Sequence, residues 1–95
     1  MYIVEVTYQK TLDAIDAQLE AHHQFLQPYY DRGIFLASGP QNPRQGGIII
    51  ASGKIGKTEL EALFKEDPFY VQGLAHYHVT EFHPVMARPE LQALL

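Results

Sequence analysis

The 95-residue chain contains no cysteine, so neither a disulfide framework nor a thiol nucleophile can contribute to its stability or its chemistry. Basic residues are also few: seven lysines and arginines stand against eleven aspartates and glutamates, giving a formal net charge of −4. No basic cluster interrupts this balance, which argues against nucleic acid and anionic membranes as partners. No apolar run approaches the roughly 18 residues of a membrane span, and no signal peptide precedes the first predicted strand. A cytoplasmic location is therefore expected.

The composition is that of a globular protein. Apolar residues make up 46% of the chain and charged residues 19%, which is more apolar than a disordered segment and enough for one modest core. We expect a single domain over residues 1–95, with 83–95 as a C-terminal tail. That tail carries a potential turn of helix with Leu91, Leu94 and Leu95 on one side.

Hydrophobic periodicity predicts four strands and two main helices. A period of two marks strands, and apolar residues three or four apart mark helices. The predicted strands cover residues 1–8, 34–40, 48–51 and 75–82, and the predicted helices cover 11–33 and 58–66. This βαββαβ order is typical of the α+β ferredoxin-like fold, in which two helices cover one face of a four-stranded antiparallel sheet. The other face would carry either Ile3 and Phe82 or Tyr2 and Val79, so a homodimer through that face is expected.

Capping residues set the expected ends of the helices. Thr11 can cap the first helix, Gly33 can end it in the left-handed conformation, and Pro28 predicts a kink or a reset of its last turns. The segment Thr58–Glu61 has the spacing of a capping box for the second helix. Asp67, followed by proline, predicts the N-cap of a separate single turn that ends near residue 73.

His22 interrupts the apolar stripe of the first predicted helix. The other positions on that face are large and apolar: Leu12, Ile15, Leu19, Leu26 and Tyr29 or Tyr30. A histidine that points into a protein needs a hydrogen-bond partner, and histidine is the side chain best suited to moving protons near neutral pH. The neighbouring His23 lies about 100° around the helix and is expected to face water. The stripe therefore singles out His22 as a candidate acid or base whose partner must come from elsewhere in the chain.

A set of spaced motifs resembles the YCII-related (YciI-like) family over nearly the whole chain. The set comprises His22, Gly33, residues 37–40 (Ala-Ser-Gly-Pro), Gly46 with Gly47, residues 67–69 (Asp-Pro-Phe) and Gly73. The resemblance implies a dimeric α/β-barrel assembly of ferredoxin-like domains, and small-molecule chemistry without a cofactor, including elimination of the dehydrochlorinase kind. It also implies a His–Asp pair, here His22 and Asp67. Relatives often carry arginine three residues before the histidine, where this chain has Leu19, so the resemblance does not carry over a substrate class.

Together, these residues predict a small-molecule pocket. A carboxylate holding one imidazole nitrogen fixes the tautomer and leaves the other nitrogen free to move a proton. We expect a turn at Ser38, Gly39 and Pro40 to close the pocket and offer an oxyanion site, with Phe69 as a further wall. From the residues alone the alternative stays open that Asp67 only caps its turn and His22 is a core histidine. The function is then either cofactor-independent acid–base catalysis, by elimination or isomerisation, or that of a non-catalytic ligand-binding or regulatory module of the same fold.

Two other motifs suggest different chemistry. Residues 51–58 approach a P-loop, but the first glycine of that motif is Ala51, and no parallel sheet or Mg²⁺-binding strand is predicted. A glycine-rich loop before the second helix explains the segment as well. His76 and His78 point to one face of the last strand and could bind a metal together with His83 or Glu5. Two ligands define no coordination geometry, so a polar sheet face or dimer interface is the preferred interpretation and no metal is expected.

Overall fold

The computed structural model of the protein describes residues 1–94. It contains one sheet of four strands: β1 (Tyr2–Tyr8), β2 (Phe35–Pro40), β3 (Gly46–Ala51) and β4 (Ala75–Glu81). The helices are α1 (Leu12–Ala17), α2 (Leu19–Asp31), α3 (Lys57–Phe64) and the single turn α4 (Pro68–Val71). The strand order is β2-β3-β1-β4 and every pairing is antiparallel. This is the predicted ferredoxin-like α+β fold, with the first and third strands at the centre of the sheet.

The helices cover one face of the sheet and form the core with it. In β1 the side chains of Tyr2, Val4 and Val6 are buried, as the predicted alternation requires. Of the two alternatives for the uncovered face, the structure selects Ile3 and Phe82, because Tyr2 and Val79 lie in the core. The core also contains the aromatic side chains of α3 and β2, where Phe64 and Phe35 stack with ring centroids 5.6 Å apart.

The first helix is divided, contrary to the single helix predicted over residues 11–33. Gln18 leaves the helical conformation with φ −110° and ψ 5°, and its N–H bonds to Ile15 O in a tight turn. The carbonyl of Gln18 then accepts from His22 N–H at 2.9 Å and restarts the ladder as α2. The expected reset of the helix at Pro28 does not occur, since α2 continues through Pro28 to Asp31. The interruption thus comes before His22 rather than after it.

The predicted caps are confirmed at three of four helix ends. Thr11 Oγ1 accepts from Ala14 N–H at 3.3 Å, and Gly33 ends α2 with φ 71°. Asp67 caps α4 as predicted. The prediction of a capping box at Thr58–Glu61 is wrong, because α3 begins one residue earlier, at Lys57. Gly56 is therefore the N-cap residue and makes no side-chain cap bond.

The boundaries around β2 and β3 also differ from the prediction. β3 begins at Gly46 rather than residue 48, and a Cβ built on Gly46 would lie only 1.8 Å from Val6 O, so the central strands approach too closely there for a side chain. The turn expected at 38–40 is wrong. Ser38, Gly39 and Pro40 remain in β2, paired with β3, and the turn follows at residues 41–45. Pro40 is tolerated because β2 is an edge strand.

A bulge in β2 decides which of its side chains face the helices. Phe35 pairs with Ala51, but Ala37 pairs with Ile50, so one extra residue is accommodated between them. Without that residue, Ala37 and Gly39 would share the face of Phe35. With it, Ser38 takes the covered face opposite Ile49.

The C-terminal segment adds a short 3₁₀ helix, Pro89–Leu94. The expected turn of helix is present there, and Leu91 is about half exposed. The part of that expectation that concerns Leu95 lies outside the described residues. Within residues 1–94, no helix has the length and apolar character needed to cross a membrane.

Candidate active site

His22 lies on the inward face of α2, next to the core residue Leu26. Its side chain is 11% exposed, much less than the exposed neighbour His23. The helical stripe predicted this placement, because positions 15, 19, 22 and 26 fall on one side of the chain. Ile15 and His22 are both buried, although the interruption at Gln18 places them on separate helices.

Asp67 reaches His22 from α4. As the N-cap residue it has an extended backbone, φ −64° and ψ 130°, and its Oδ1 accepts from Phe69 N–H at 2.9 Å. Pro68 at the first helical position suits this geometry, because its missing N–H would have no partner there. The Asp67 side chain is completely buried. A carboxylate removed from water in this way must be held by several donors.

Three donors surround the Asp67 carboxylate. His22 Nδ1 lies 2.9 Å from Oδ1 and 2.8 Å from Oδ2, the Phe69 amide donates to Oδ1, and the Tyr77 hydroxyl of β4 donates to Oδ2. Because the ionised Asp67 carboxylate can only accept, it is His22 Nδ1 that carries the proton of this hydrogen bond. A neutral His22 therefore has its lone pair on Nε2.

His22 lines a cavity, and its Nε2 is the ring nitrogen that does not bond to Asp67. Among residues 1–94, Nε2 has no hydrogen-bond partner. In the same range, every fully buried side-chain nitrogen or oxygen has one. Nε2 must therefore be accessible. Phe69 stacks on the imidazole with centroids 4.0 Å apart and planes 4° apart, which restricts rotation of the ring. The arrangement presents one proton-accepting atom in a fixed direction.

The cavity has a volume of about 470 Å³ and lies between α2 and the β1–β3–β2 part of the sheet. It is lined by Val6, Tyr8, Leu19, His22, His23, Leu26, Ser38, Gly39, Pro40, Arg44, Gly47, Ile48, Ile49 and Phe69. All four residues predicted as pocket walls are in this set, although Asp67 itself lies behind His22. The volume is in the range of small-ligand sites. The Ser38 hydroxyl is held at 2.5 Å from the Tyr30 hydroxyl.

Sequence reasoning missed Tyr77 and Arg44. Tyr77 alternates with His76 and His78, so the same pattern that turns both histidines to one face turns the tyrosine to the other. That signal could have identified Tyr77 as an inward hydroxyl. Arg44 belongs to the polar loop between β2 and β3, and periodicity gives no information about where a loop side chain points.

Replacing Tyr77 by Phe is expected to destabilise the protein by about 1–2 kcal/mol near neutral pH, because one donor to a buried carboxylate is lost. Burial, and then the negative charge of Asp67, raise the pKa of Tyr77. The folded state therefore favours the protonated phenol. Its contribution is complete below the unfolded pKa of about 10 and is lost as pH rises towards the higher folded pKa. Above about pH 10, the wild type should lose stability more steeply than Tyr77→Phe, by about 1.4 kcal/mol per pH unit.

Urea denaturation of both proteins across this alkaline range provides the measurement. Burial also raises the pKa of Tyr2, so the variant should retain part of the slope. The exposed Tyr70 provides the control, since Tyr70→Phe removes a hydroxyl that makes no hydrogen bond within residues 1–94 and should leave the curve nearly unchanged. Equal alkaline slopes for the wild type and Tyr77→Phe would contradict the prediction.

The other two sequence motifs do not join this site. His76 and His78 are exposed on the uncovered face of the sheet, opposite Tyr77. Within the described residues, no group of three or more histidine, aspartate or glutamate side chains has the arrangement of a metal site. Residues 52–56 form the loop between β3 and α3, and the Ser52 hydroxyl donates to Gly33 O at 2.9 Å.

Comparison with known proteins agrees with the fold. The family model described as YCII-related domain matches residues 1–83. Among solved structures, a similar one is the 5-chloro-2-hydroxyhydroquinone dehydrochlorinase TftG from Burkholderia phenoliruptrix, in complex with 2,5-dihydroxybenzoquinone. Its TM-score is 0.70, with 18% sequence identity over 87% of this chain and 94% of that chain. No functionally curated protein matches the chain.

Proposed function

The chain belongs to the YCII-related domain family, and on this premise we propose that it is a cofactor-independent enzyme acting on a small molecule. His22 is its general acid or base, and Asp67 holds His22 in position. The reaction class is a proton transfer that drives elimination or isomerisation. The solved dehydrochlorinase of similar fold supports elimination as the first reaction to test.

The observation that carries this proposal is the free Nε2 atom of His22. A non-catalytic module has no need to expose that nitrogen and could bury it against a backbone carbonyl. Here Nδ1 is fixed by Asp67 while Nε2 opens into a cavity large enough for a small ligand. A base must reach the proton that it removes, either directly or through one water molecule.

The mechanism follows from these contacts. Nε2 accepts a proton from the substrate, the electron pair left behind forms a new double bond, and a leaving group departs with its bonding pair. Asp67 stabilises the imidazolium that results, and the stacked Phe69 ring keeps Nε2 directed at the substrate. In an isomerisation the same imidazolium would return its proton to a different atom. The largely apolar cavity wall strengthens these electrostatic interactions by limiting water.

The direct test uses the dehydrochlorinase substrate, 5-chloro-2-hydroxyhydroquinone, with chloride release as the readout. We expect chloride release above the rate in buffer, and saturable binding of 2,5-dihydroxybenzoquinone. The other substrates to test are small compounds that carry a leaving group beside an acidic proton. If ligand binding is saturable but none of these compounds is turned over, the result would favour a non-catalytic binding module instead. That module is the alternative function on the same fold.

The assembly that we propose is a homodimer through the uncovered face of the sheet. On this face Ile3 lies between Ile50 of β3 and Thr80 of β4, and Phe82 is 39% exposed. Apolar side chains in the middle of a sheet face are usually covered by a partner. Light scattering should give twice the monomer mass at micromolar concentration. A monomer under those conditions would refute the dimer.

A further inference from the structure

Arg44 brings a permanent positive charge to the wall of the cavity that His22 faces. It belongs to the loop at residues 41–45 between β2 and β3, and its side chain is 32% exposed. Most of the lining is apolar, including Leu19 on the side of α2 and Val6 on the sheet. An arginine in the wall of a largely apolar cavity is a suitable partner for an anionic group.

The resting partner of Arg44 is replaceable. Its Nη2 lies 2.5 Å from Asp16 Oδ1, and the Asp16 side chain is 50% exposed. Ion pairs with this exposure contribute little net stability. The contact uses one nitrogen of a guanidinium that has five N–H donors in a fork, so an anion with two oxygens could bind bidentately. A ligand anion shielded by the apolar cavity could compete with the half-exposed Asp16 carboxylate.

The loop does not require this ion pair to hold its conformation. Its ends are joined by a hydrogen bond from Gln41 N–H to Gly46 O at 2.9 Å. Tyr8 N–H donates to Gln45 O at 3.0 Å and fixes the loop to β1. Below the guanidinium, the Tyr8 ring has its centroid 5.8 Å from Arg44 Cζ. The backbone and this ring thus position Arg44 independently of Asp16.

We propose that Arg44 is a specificity-determining residue that binds an anionic oxygen group, a carboxylate or an ionised hydroxyl, on a small ring-shaped substrate. This inference rests on the proposed function. The ring occupies the apolar cavity, its anionic end replaces Asp16 at the guanidinium, and its reacting atom lies at His22 Nε2. The completely buried Asp67 carboxylate behind His22 disfavours an anion in this cavity, and the charge of Arg44 would offset that repulsion.

The test compares two probes of nearly the same shape, 2,5-dihydroxybenzoate and its neutral amide, by calorimetry. The wild type should prefer the acid. Arg44→Gln should weaken binding of the acid by about ten- to a hundredfold, the range for loss of a hydrogen bond to a charged group. Binding of the amide should change by less than about threefold, and Arg44→Lys should recover part of the affinity for the acid.

Asp16→Asn separates recognition from a structural role. If Arg44 binds the ligand, removal of its competing partner should tighten binding of the acid by about two- to fivefold. If the ion pair only supports the loop, Asp16→Asn and Arg44→Gln should weaken both probes alike. The matched control is Arg32→Gln, which removes the same charge from a guanidinium 5.7 Å from the Tyr29 ring, outside this cavity.

A wild type without preference for the acid, or equal losses for both probes in Arg44→Gln, would overturn the inference. Its failure is distinct from that of the proposed function. If turnover depends on His22 but not on Arg44, the proposed enzyme stands and the anion site at Arg44 is refuted. If the preference for the acid depends on Arg44 but no turnover is found, the anion site stands and the proposed enzyme is refuted.

Discussion

Asp67→Ala is expected to lower the free energy of unfolding by about 3 kcal/mol or more, because each of three donors left without an acceptor costs about 1–3 kcal/mol. The carboxylate is completely buried and accepts from His22 Nδ1, the Phe69 amide and the Tyr77 hydroxyl. Alanine leaves all three donors without an acceptor in a place that water reaches poorly. Small domains have only about 5–15 kcal/mol of total stability, so the variant should be close to unfolding at elevated temperature.

Urea denaturation at neutral pH measures this loss, and two further variants identify its origin. Asp67→Asn keeps the shape and one acceptor oxygen, so its loss should be smaller than that of alanine. Asp13→Ala removes an exposed aspartate from the first turn of α1 and should cost less than about 1 kcal/mol. Equal losses for Asp67→Ala and Asp13→Ala would mean that the buried carboxylate stabilises nothing.

The central part of this site could be predicted from local sequence patterns. The helical stripe predicts that His22 points inward, and the Asp-Pro pair predicts an N-cap at Asp67. Neither prediction uses the contact between the two residues. Both predictions depend on interactions within a few residues, and such interactions determine local structure directly. The family resemblance supplied the pairing of these two residues, because spacing along the chain does not reveal that positions 45 apart meet.

The walls of the cavity depended on features that periodicity does not show. The bulge between Phe35 and Ala37 reverses the alternation of β2, so it is Ser38 that takes the covered face. A one-residue change in register moves every following side chain to the other face. Pairing of Gly46 with Thr7 similarly extends β3 into a segment that its glycines mark as loop. Strand pairing decides both features, and strand pairing is a property of the whole sheet.

His22→Gln is expected to lower kcat by about 10²–10⁴-fold, the usual contribution of a positioned general acid or base. Glutamine can still donate to Asp67, so the buried carboxylate keeps a partner and the fold should be retained. It has no group that accepts a proton and later returns it. Affinity for 2,5-dihydroxybenzoquinone should therefore change far less than kcat, since the rest of the cavity wall is unaltered.

Chloride release and ligand binding, measured on the same preparations, test this separation of binding from catalysis. His83→Gln provides the control, because His83 is exposed beyond the end of β4 and does not line the cavity beside His22. That variant should match the wild type in both measurements. If His22→Gln also retained wild-type kcat, Nε2 would not be the atom that moves the proton, and the role of the His22–Asp67 pair would be limited to holding α2 against α4. A selective loss of kcat would instead assign proton transfer to the atom that the structure leaves open to the cavity.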